Sequence, residues 1–238
     1  MSKLVADGYN EIKKAAGPWP EIGWYRGVIR PCHVWQGRIF ISGMGREIMI
    51  NILGQIEDNK LPDIETERLY LRERLVSDAK EIFAYASLAE VTWPAGFPPA
   101  ESVEEEENYL ENIMPKRWIE QKIPSGYGIC LKGTDEVIGS IDFNHRHADD
   151  VLEIGYTLHP DYWGNGYVPE AVSALLKVGF TLLNLHKIEI GCYSYNKASQ
   201  HIAEKLGFIL EARIRDRKDA QGKHCDELIY GLLRSEWE

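Results

Sequence analysis

The run from Glu153 to Ala171, EIGYTLHPDYWGNGYVPEA, places chemistry-bearing residues in an order that builds an anion site. Leu152, Ile154, Tyr156 and Leu158 alternate with Glu153, Gly155, Thr157 and His159, which is the period of a strand. Pro160 stops that strand, because proline cannot donate to a ladder. Two glycines follow in Gly164-Asn165-Gly166. Residues 169–183 then repeat apolar side chains at helical spacing, with Val172, Leu175, Leu176, Gly179 and Phe180 on one face. Pro169 falls in the first helical turn, where a missing N–H is not needed. A strand, a Gly-rich turn and a helix start bring free N–H groups and the positive end of a helix dipole to one loop. The glycines let backbone approach a bulky polyanion closely. His145 and His147 alternate on a strand face nearby, but no cysteine or carboxylate completes a metal set with them, so no metal is expected.

The elements that must hold this loop are legible from Ile64 onward. Thr66 to Arg72 reads as a strand, and Ser77 opens a helix through Ile82, Phe83 and Leu88. Trp93-Pro94 to Pro98-Pro99 is expected to be a loop, since three prolines and Gly96 interrupt both regular states. Ser102-Val-Glu-Glu105 is a capping box for a second helix, which Pro115 is expected to kink or end. Gly126–Lys132 and Glu136–Phe143 read as strands joined at Gly133-Thr-Asp135. Beyond the central helix come a strand over Leu185–Tyr193, a helix capped by Asn196, and strands over Phe208–Arg215 and Glu227–Leu233. The sum is one mixed α/β sheet with helices on both faces. Residues 1–61 stand apart as an N-terminal extension ahead of a 62–238 domain. They carry a net charge of +2 over residues 1–60, against −12 for the rest. Two or three short strands are expected between Trp24 and Ile41, and a helix over Gly45–Asn59. His33 and Cys32 are read there as structural.

Composition narrows the function classes. The 238 residues are 44% hydrophobic and 27% charged, with seven Trp and twelve Tyr, as for a globular protein with a filled core or a ligand cleft. A net charge of −10 argues against a general nucleic-acid binder and suits a cationic partner. Cys32, Cys130, Cys192 and Cys225 form no C-x-x-C pair, which points to a reduced, cytoplasmic setting without disulfide or zinc. Neither a signal peptide nor a membrane-span-length apolar run is evident.

These motifs in this order resemble the GNAT superfamily of N-acetyltransferases, and within it the RimJ/RimL-type branch. The resemblance covers Ile64 to the C-terminus. It is carried by Thr66-Glu-Arg-Leu-Tyr-Leu-Arg72, Glu153-Ile-Gly-Tyr156, Tyr162-Trp-Gly-Asn-Gly-Tyr167 with Glu170-Ala171, Asn196-x-x-Ser199 with Lys205-Leu-Gly-Phe208, and Asp226 to Tyr230 with Glu236-Trp237. It implies a mostly antiparallel sheet with a splayed central parallel pair, and acetyl-CoA as cosubstrate. The family pattern in the loop is Gln/Arg-x-x-Gly-x-Gly/Ala. Trp163 and Val168 depart from it here, so one polar side chain is missing and the backbone from Gly164 to Val168 must make the site.

The implied chemistry is direct attack of an amine on the thioester. Tyr156, Thr157 and Leu158 would pair with the pantetheine arm, and a backbone N–H of the same strand would meet the developing oxyanion. Trp163, Gly164, Asn165, Gly166, Tyr167 and Val168 would surround the pyrophosphate, with Asn196 and Ser199 near the arm. Two carboxylates qualify as the base, Glu153 and Glu189, with Glu153 favoured by its place in Glu-Ile-Gly-Tyr. The tyrosine that many members place seven residues after the motif Asn is Ala203 here. Ser199, at the position three after it, takes its place near the sulfur. The acceptor pocket would draw on Trp93 and the loop after it, Tyr127, Asp142, Phe143, His145 and His147. The resemblance favours a protein or peptide N-terminus as acceptor. A small amine (a polyamine, amino acid or drug) and a non-catalytic acyl-CoA-binding protein are the alternatives. Monomer and homodimer both stay open.

Overall fold

A computed structural model describes residues 32–35, 38–42, 47–51 and 61–237. It opens with strands β1 (Cys32–Trp35), β2 (Arg38–Ser42), β3 (Glu47–Asn51), β4 (Ile64–Glu65) and β5 (Leu69–Glu73). Four short helices follow: α1 (Ala79–Ala86), α2 (Ala89–Ala95), α3 (Val103–Asn108) and α4 (Met114–Gln121). Then come β6 (Tyr127–Leu131), β7 (Val137–Ala148), β8 (Val151–Leu158), α5 (Tyr167–Lys177), β9 (Lys187–Tyr193), α6 (Lys197–Lys205), β10 (Ile209–Lys218), β11 (His224–Leu233) and α7 (Arg234–Trp237). Among the described residues the sheet order is β1-β2-β3-β4-β5-β6-β7-β8-β9-β11-β10. The pair β8–β9 is parallel and the other pairs are antiparallel.

Side-chain alternation explains why helices cover both faces. On β5, Leu69 and Leu71 enter one core while Tyr70 packs against the other; on β6, Tyr127 and Ile129 face the first and Cys130 the second. The first core lies under α5 and contains Ala171, Val172, Leu175, Phe143 and Ile188. The second lies under α1, the first half of α2 and the Leu110–Met114 segment. Gly179, in the π-turn Val178–Leu182 that continues α5, lets this segment sit directly on the sheet. A Cβ there would come within 2.6 Å of the Ile188 side chain and 3.3 Å of the Phe143 ring.

The structure corrects the sequence-based expectations in three places. Trp93 and Pro94 belong to α2, which ends only at Ala95 with Gly96 as its left-handed cap. Pro94 sits near the end of a seven-residue helix, where its missing N–H removes a single bond. Of the two outcomes expected at Pro115, a kink or an end, the end does not occur, for α4 runs on to Gln121. The irregularity appears just before it, as the π-turn Tyr109–Ile113, whose wider loop relieves the ring of the preceding carbonyls. Part of the helix expected over Gly45–Asn59 is the strand β3, with Met49 opposite Glu65 and Ile50 opposite Ile64. Its β-branched residues alternate, and a partner strand was at hand on either side. The rest of that span, the segment from Trp24 to Pro31 and the side chains of Cys32 and His33 lie outside the described residues.

Candidate active site

The cleft arises where parallel pairing stops. β8 and β9 are matched at Val151–Lys187, Leu152–Ile188 and Glu153–Glu189, and their ladder ends there. β8 keeps its outer neighbour β7 as far as Leu158, and β9 keeps β11 as far as Tyr193. The two central strands therefore part from each other while each stays anchored. The gap is a cleft of about 710 Å³, with Glu153 and His145 toward one end, Gly164 and Gly166 toward the other, and Tyr156 and Ser199 between.

At the glycine end the loop is an open cradle. Gly164 and Gly166 take φ of 76° and 77°, a region that side chains other than glycine enter at a cost. A Cβ on Gly164 would meet nothing within 4 Å among the described residues, so none of these fills the space. Gly166 is the N-cap of α5, so the helix's first N–H groups and dipole face this loop. The loop carbonyls are taken up behind it: Arg68 Nη1 donates to Asn165 O at 2.8 Å and Nη2 to Gly166 O at 3.3 Å. Arg68 is in turn fixed by Glu170, through Nε at 2.7 Å and the backbone N–H at 2.9 Å, and lies 4.8 Å over the Tyr167 ring. Thr66 Oγ1 donates to the same carboxylate at 2.6 Å. Burial pushes the Glu170 carboxyl up, but the hydrogen bonds from Thr66 and Arg68 outweigh it and hold the group below its ordinary 4.5. Its contribution to stability is therefore complete above about pH 4.5 and is lost as the pH falls further. Trp163 Nε1 donates to Leu158 O at 2.8 Å, which ties the loop to the end of β8.

In the middle of the cleft, Asn196 caps α6 by accepting the Ser199 N–H at 3.1 Å. Its Nδ2 donates to Pro94 O at 3.2 Å and so joins α6 to the end of α2. Ser199 is buried, and its Oγ lies 2.8 Å from Tyr156 Oη. Burial pushes the Tyr156 hydroxyl well above its ordinary value, with Ser199 opposing, so this pair is neutral and can hold or pass a proton at neutral pH. Ala203, at the position of the missing tyrosine, is fully buried in the core. Cys192 also lines the cleft. Burial pushes its thiol up to about 11, so it stays protonated and is a poor nucleophile.

At the other end Glu153 and Glu189 stand side by side. His147 Nε2 is 3.0 Å from Glu153 Oε2 and 3.6 Å from Glu189 Oε2. Lys187 Nζ lies 2.7 Å from Glu189 Oε1 and also pairs with Glu211. Glu153 rests against Gly191, where a Cβ would be 3.3 Å from its Oε1.

The structure brings together Glu153, Tyr156, Leu158, Trp163, Gly164, Gly166, Tyr167, Val168, Asn196, Ser199 and His145 as expected cleft residues. Thr157 lines it too, but its hydroxyl is buried against Ser140 at 2.9 Å. Five acceptor-pocket expectations are corrected, His147 among them because it stands outside the cleft lining, as does the candidate base Glu189. Tyr127 is in the core with its hydroxyl donating to Pro62 O at 2.8 Å, and Phe143 is fully buried beside it. Asp142 is ion-paired with the buried Arg74, with Arg117 3.6 Å away, and Trp93 is not among the cleft residues. Asn165 turns its amide back to Tyr162 O and Trp163 O. Sequence reasoning missed Glu90, Gly191, Tyr193, Lys205 and Glu227 as cleft residues, because they come from α2, β9, α6 and β11, whose meeting around the cleft no local pattern shows.

Comparisons with known proteins agree with this geometry. The family described as acetyltransferase (GNAT) domain matches residues 68–209. The chain is similar to the uncharacterized N-acetyltransferase p20 of Bacillus licheniformis, with 35% identity over 173 residues, covering 72% of this chain and 96% of that one. It is also similar to YdaF of Bacillus subtilis, provisionally named a ribosomal N-acetyltransferase, with 30% identity over 141 residues, 58% of this chain and 76% of that one. Among solved structures, a GNAT-family acetyltransferase from Bacillus anthracis superimposes with a TM-score of 0.64 at 27% identity, covering 73% of this chain and 99% of that one.

Proposed function

The chain belongs to the GNAT acetyltransferase family and is an N-acetyltransferase, and from that premise we propose that it moves the acetyl group of acetyl-CoA to the α-amino group of a protein or peptide. The observation that carries this is the cleft itself: an open cradle at Gly164–Gly166, and the Glu153 carboxylate at the far end of the same parted strands, with Glu189 beside it in the last matched pair. The open cradle and the N-terminus of α5 fit a pyrophosphate, and the edge of β8 from Tyr156 to Leu158 fits an extended arm. Bound there, acetyl-CoA would supply the thioester.

The chain's own residues do the rest. The walls of β8 and β9 hold the reactants at close range, which supplies much of the rate. Glu153 takes the proton that an amine must lose to attack. Glu189, paired with Lys187, is the less available carboxylate. The Ser199–Tyr156 hydroxyl pair stands between the two ends of the cleft, where it can give a proton to departing sulfur. An N-terminus as acceptor is supported by the exposure of His145 on the cleft and His147 beside it, so that among the described residues nothing closes that end to an amine tethered to a chain. The name of the relative YdaF points the same way. The division into an extension over 1–61 and an acetyltransferase domain over 62–238, and a cytoplasmic location, belong to the same reading. The family match begins at residue 68, while β1–β3 lengthen the sheet ahead of it.

Acetyl-CoA-dependent release of free thiol, measured over peptides with differing N-terminal residues and over polyamines, tests the acceptor. Faster turnover with free-amine peptides than with the same peptides N-terminally blocked is the expected result. Turnover with polyamines alone would overturn the peptide reading and leave acetyl transfer standing.

A further inference from the structure

The hairpin end that carries His147 is built to hold one side chain out of register. In the β7–β8 ladder, His145 is opposite Glu153 and Arg146 opposite Leu152, but the next match is Ala148 with Val151. His147 is the extra residue of a β-bulge, a device that redirects a side chain. The bulge is clamped from behind. Arg146 Nη1 donates to Asp149 O at 2.6 Å, and Nη2 donates to Lys122 O at 2.6 Å. The imidazole so placed reaches across β8 toward β9, and Nε2 meets the carboxylates of both strands at their last matched pair.

The surroundings of the two carboxylates are unequal. Glu189 has the ammonium of Lys187 at 2.7 Å, whereas Glu153 has His147 at 3.0 Å as its ionisable partner. Among the described residues, the charged and titratable groups facing His147 are Glu153 from β8, Glu189 from β9 with Lys187 behind it, and His145 on its own strand at 6.3 Å between ring centroids. Solvent access is also unequal. The His147 side chain is 46% exposed, and each of the two carboxylate side chains 14%. A carboxylate that accepts a proton inside the cleft must return it to solvent before the next turnover, and the exposed imidazole is the group in contact with both sides.

We propose that His147 is the proton exit for Glu153, a positioning residue that also relays the proton to solvent. This rests on Glu153 acting as the base. The acceptor nitrogen gives one proton to the Glu153 carboxylate. Glu153 Oε2 passes it to His147 Nε2, and Nδ1 releases its own proton to water or buffer. The acceptor ammonium thus sends one proton to solvent, and its second goes by way of the Ser199–Tyr156 pair to the departing sulfur; Glu153 and His147 are then at their starting charges, and exchange with water returns the imidazole to its Nδ1–H form.

The test compares wild type with His147→Gln and His147→Ala, using a free-amine peptide in weakly buffered solution near pH 7, with and without added imidazole. The expected result is a fall in kcat on the order of tenfold in both variants, as for loss of an orienting partner. KM for acetyl-CoA should be unchanged, and the rate should be restored as imidazole is raised. Wild type should not respond to imidazole. Variants as fast as wild type overturn the proposal, and so does a slow variant that imidazole does not rescue, which would reduce His147 to a structural partner of Glu153. Wild-type turnover in the same assay keeps the two readings apart. If wild type turns over while the variants behave normally, only the relay falls; if no amine is turned over by wild type, both fall.

Discussion

Glu153→Gln is expected to lower kcat for acetyl transfer by about 100-fold or more near pH 7, the scale typical of removing a positioned base. Gln is nearly the same size and can still hydrogen-bond His147, so the cleft keeps its shape while the proton acceptor disappears. The size of the defect should depend on pH in a definite direction. An α-amino group with pKa about 7.7–8.0 is roughly one-tenth neutral at pH 7 and mostly neutral above pH 8.5. The base is needed most when the amine is charged, so the gap between variant and wild type should narrow as pH rises. Glu189→Gln should cost less, because Glu189 is committed to Lys187 at 2.7 Å. Unchanged turnover by Glu153→Gln at pH 7, with a large loss in Glu189→Gln, would reverse the assignment of the base. The measurement is a kcat profile from pH 6.5 to 9 for the three proteins on one peptide.

The second large effect concerns stability. Phe143 has the sequence neighbourhood of a cleft residue but is fully buried against the π-turn that continues α5. Phe143→Ala should therefore destabilise the fold by about 3–5 kcal/mol, the usual cost of emptying an aromatic site in a packed core. For a chain of this size that corresponds to a fall in Tm of roughly 6–20 °C. KM for the acceptor should not change in the fraction that remains folded. Thermal unfolding followed by circular dichroism, alongside KM at a temperature well below the transition, checks both halves. A small change in Tm with a large rise in acceptor KM would put Phe143 back on the pocket wall.

The contrast between Phe143 and Gly164 shows what kind of information the chain carries openly. The Gly164–Gly166 turn, the Asn196 cap and the Gly207 helix end depend on residues a few positions apart, and local backbone preferences decide them. The mixed sheet was legible for the same reason, as each strand and helix shows its own period. Burial of Tyr127 and Phe143 depends on which face of β6 and β7 meets α5, a matter of register between segments far apart. Trp93 and Pro94 misled because proline near the end of a short helix costs little, although the dipeptide reads as a break. His147 was visible as one of two alternating histidines. Its bulge was not, because a bulge exists only relative to the partner strand. Tyr156 illustrates a middle case: its place on the strand was legible, but its contact with Ser199 needs the spacing between β8 and α6.

The most direct test of the account is binding of acetyl-CoA to the cleft between β8 and β9, followed as a shift in Tm during titration of wild type and Gly166→Val. At one hundred times the dissociation constant, a ligand bound only by the folded state adds about 2.7 kcal/mol, or roughly 5–11 °C for a chain of this length. Valine at Gly166 must adopt a φ of 77° that its branched side chain resists, and its Cβ would lie 3.6 Å from Arg68 Nη2, so its branches would crowd the group that holds the loop from behind. A saturable upward shift in wild type that is greatly weakened in Gly166→Val is the result predicted here; no shift with millimolar acetyl-CoA, or an equal shift in both proteins, would contradict it.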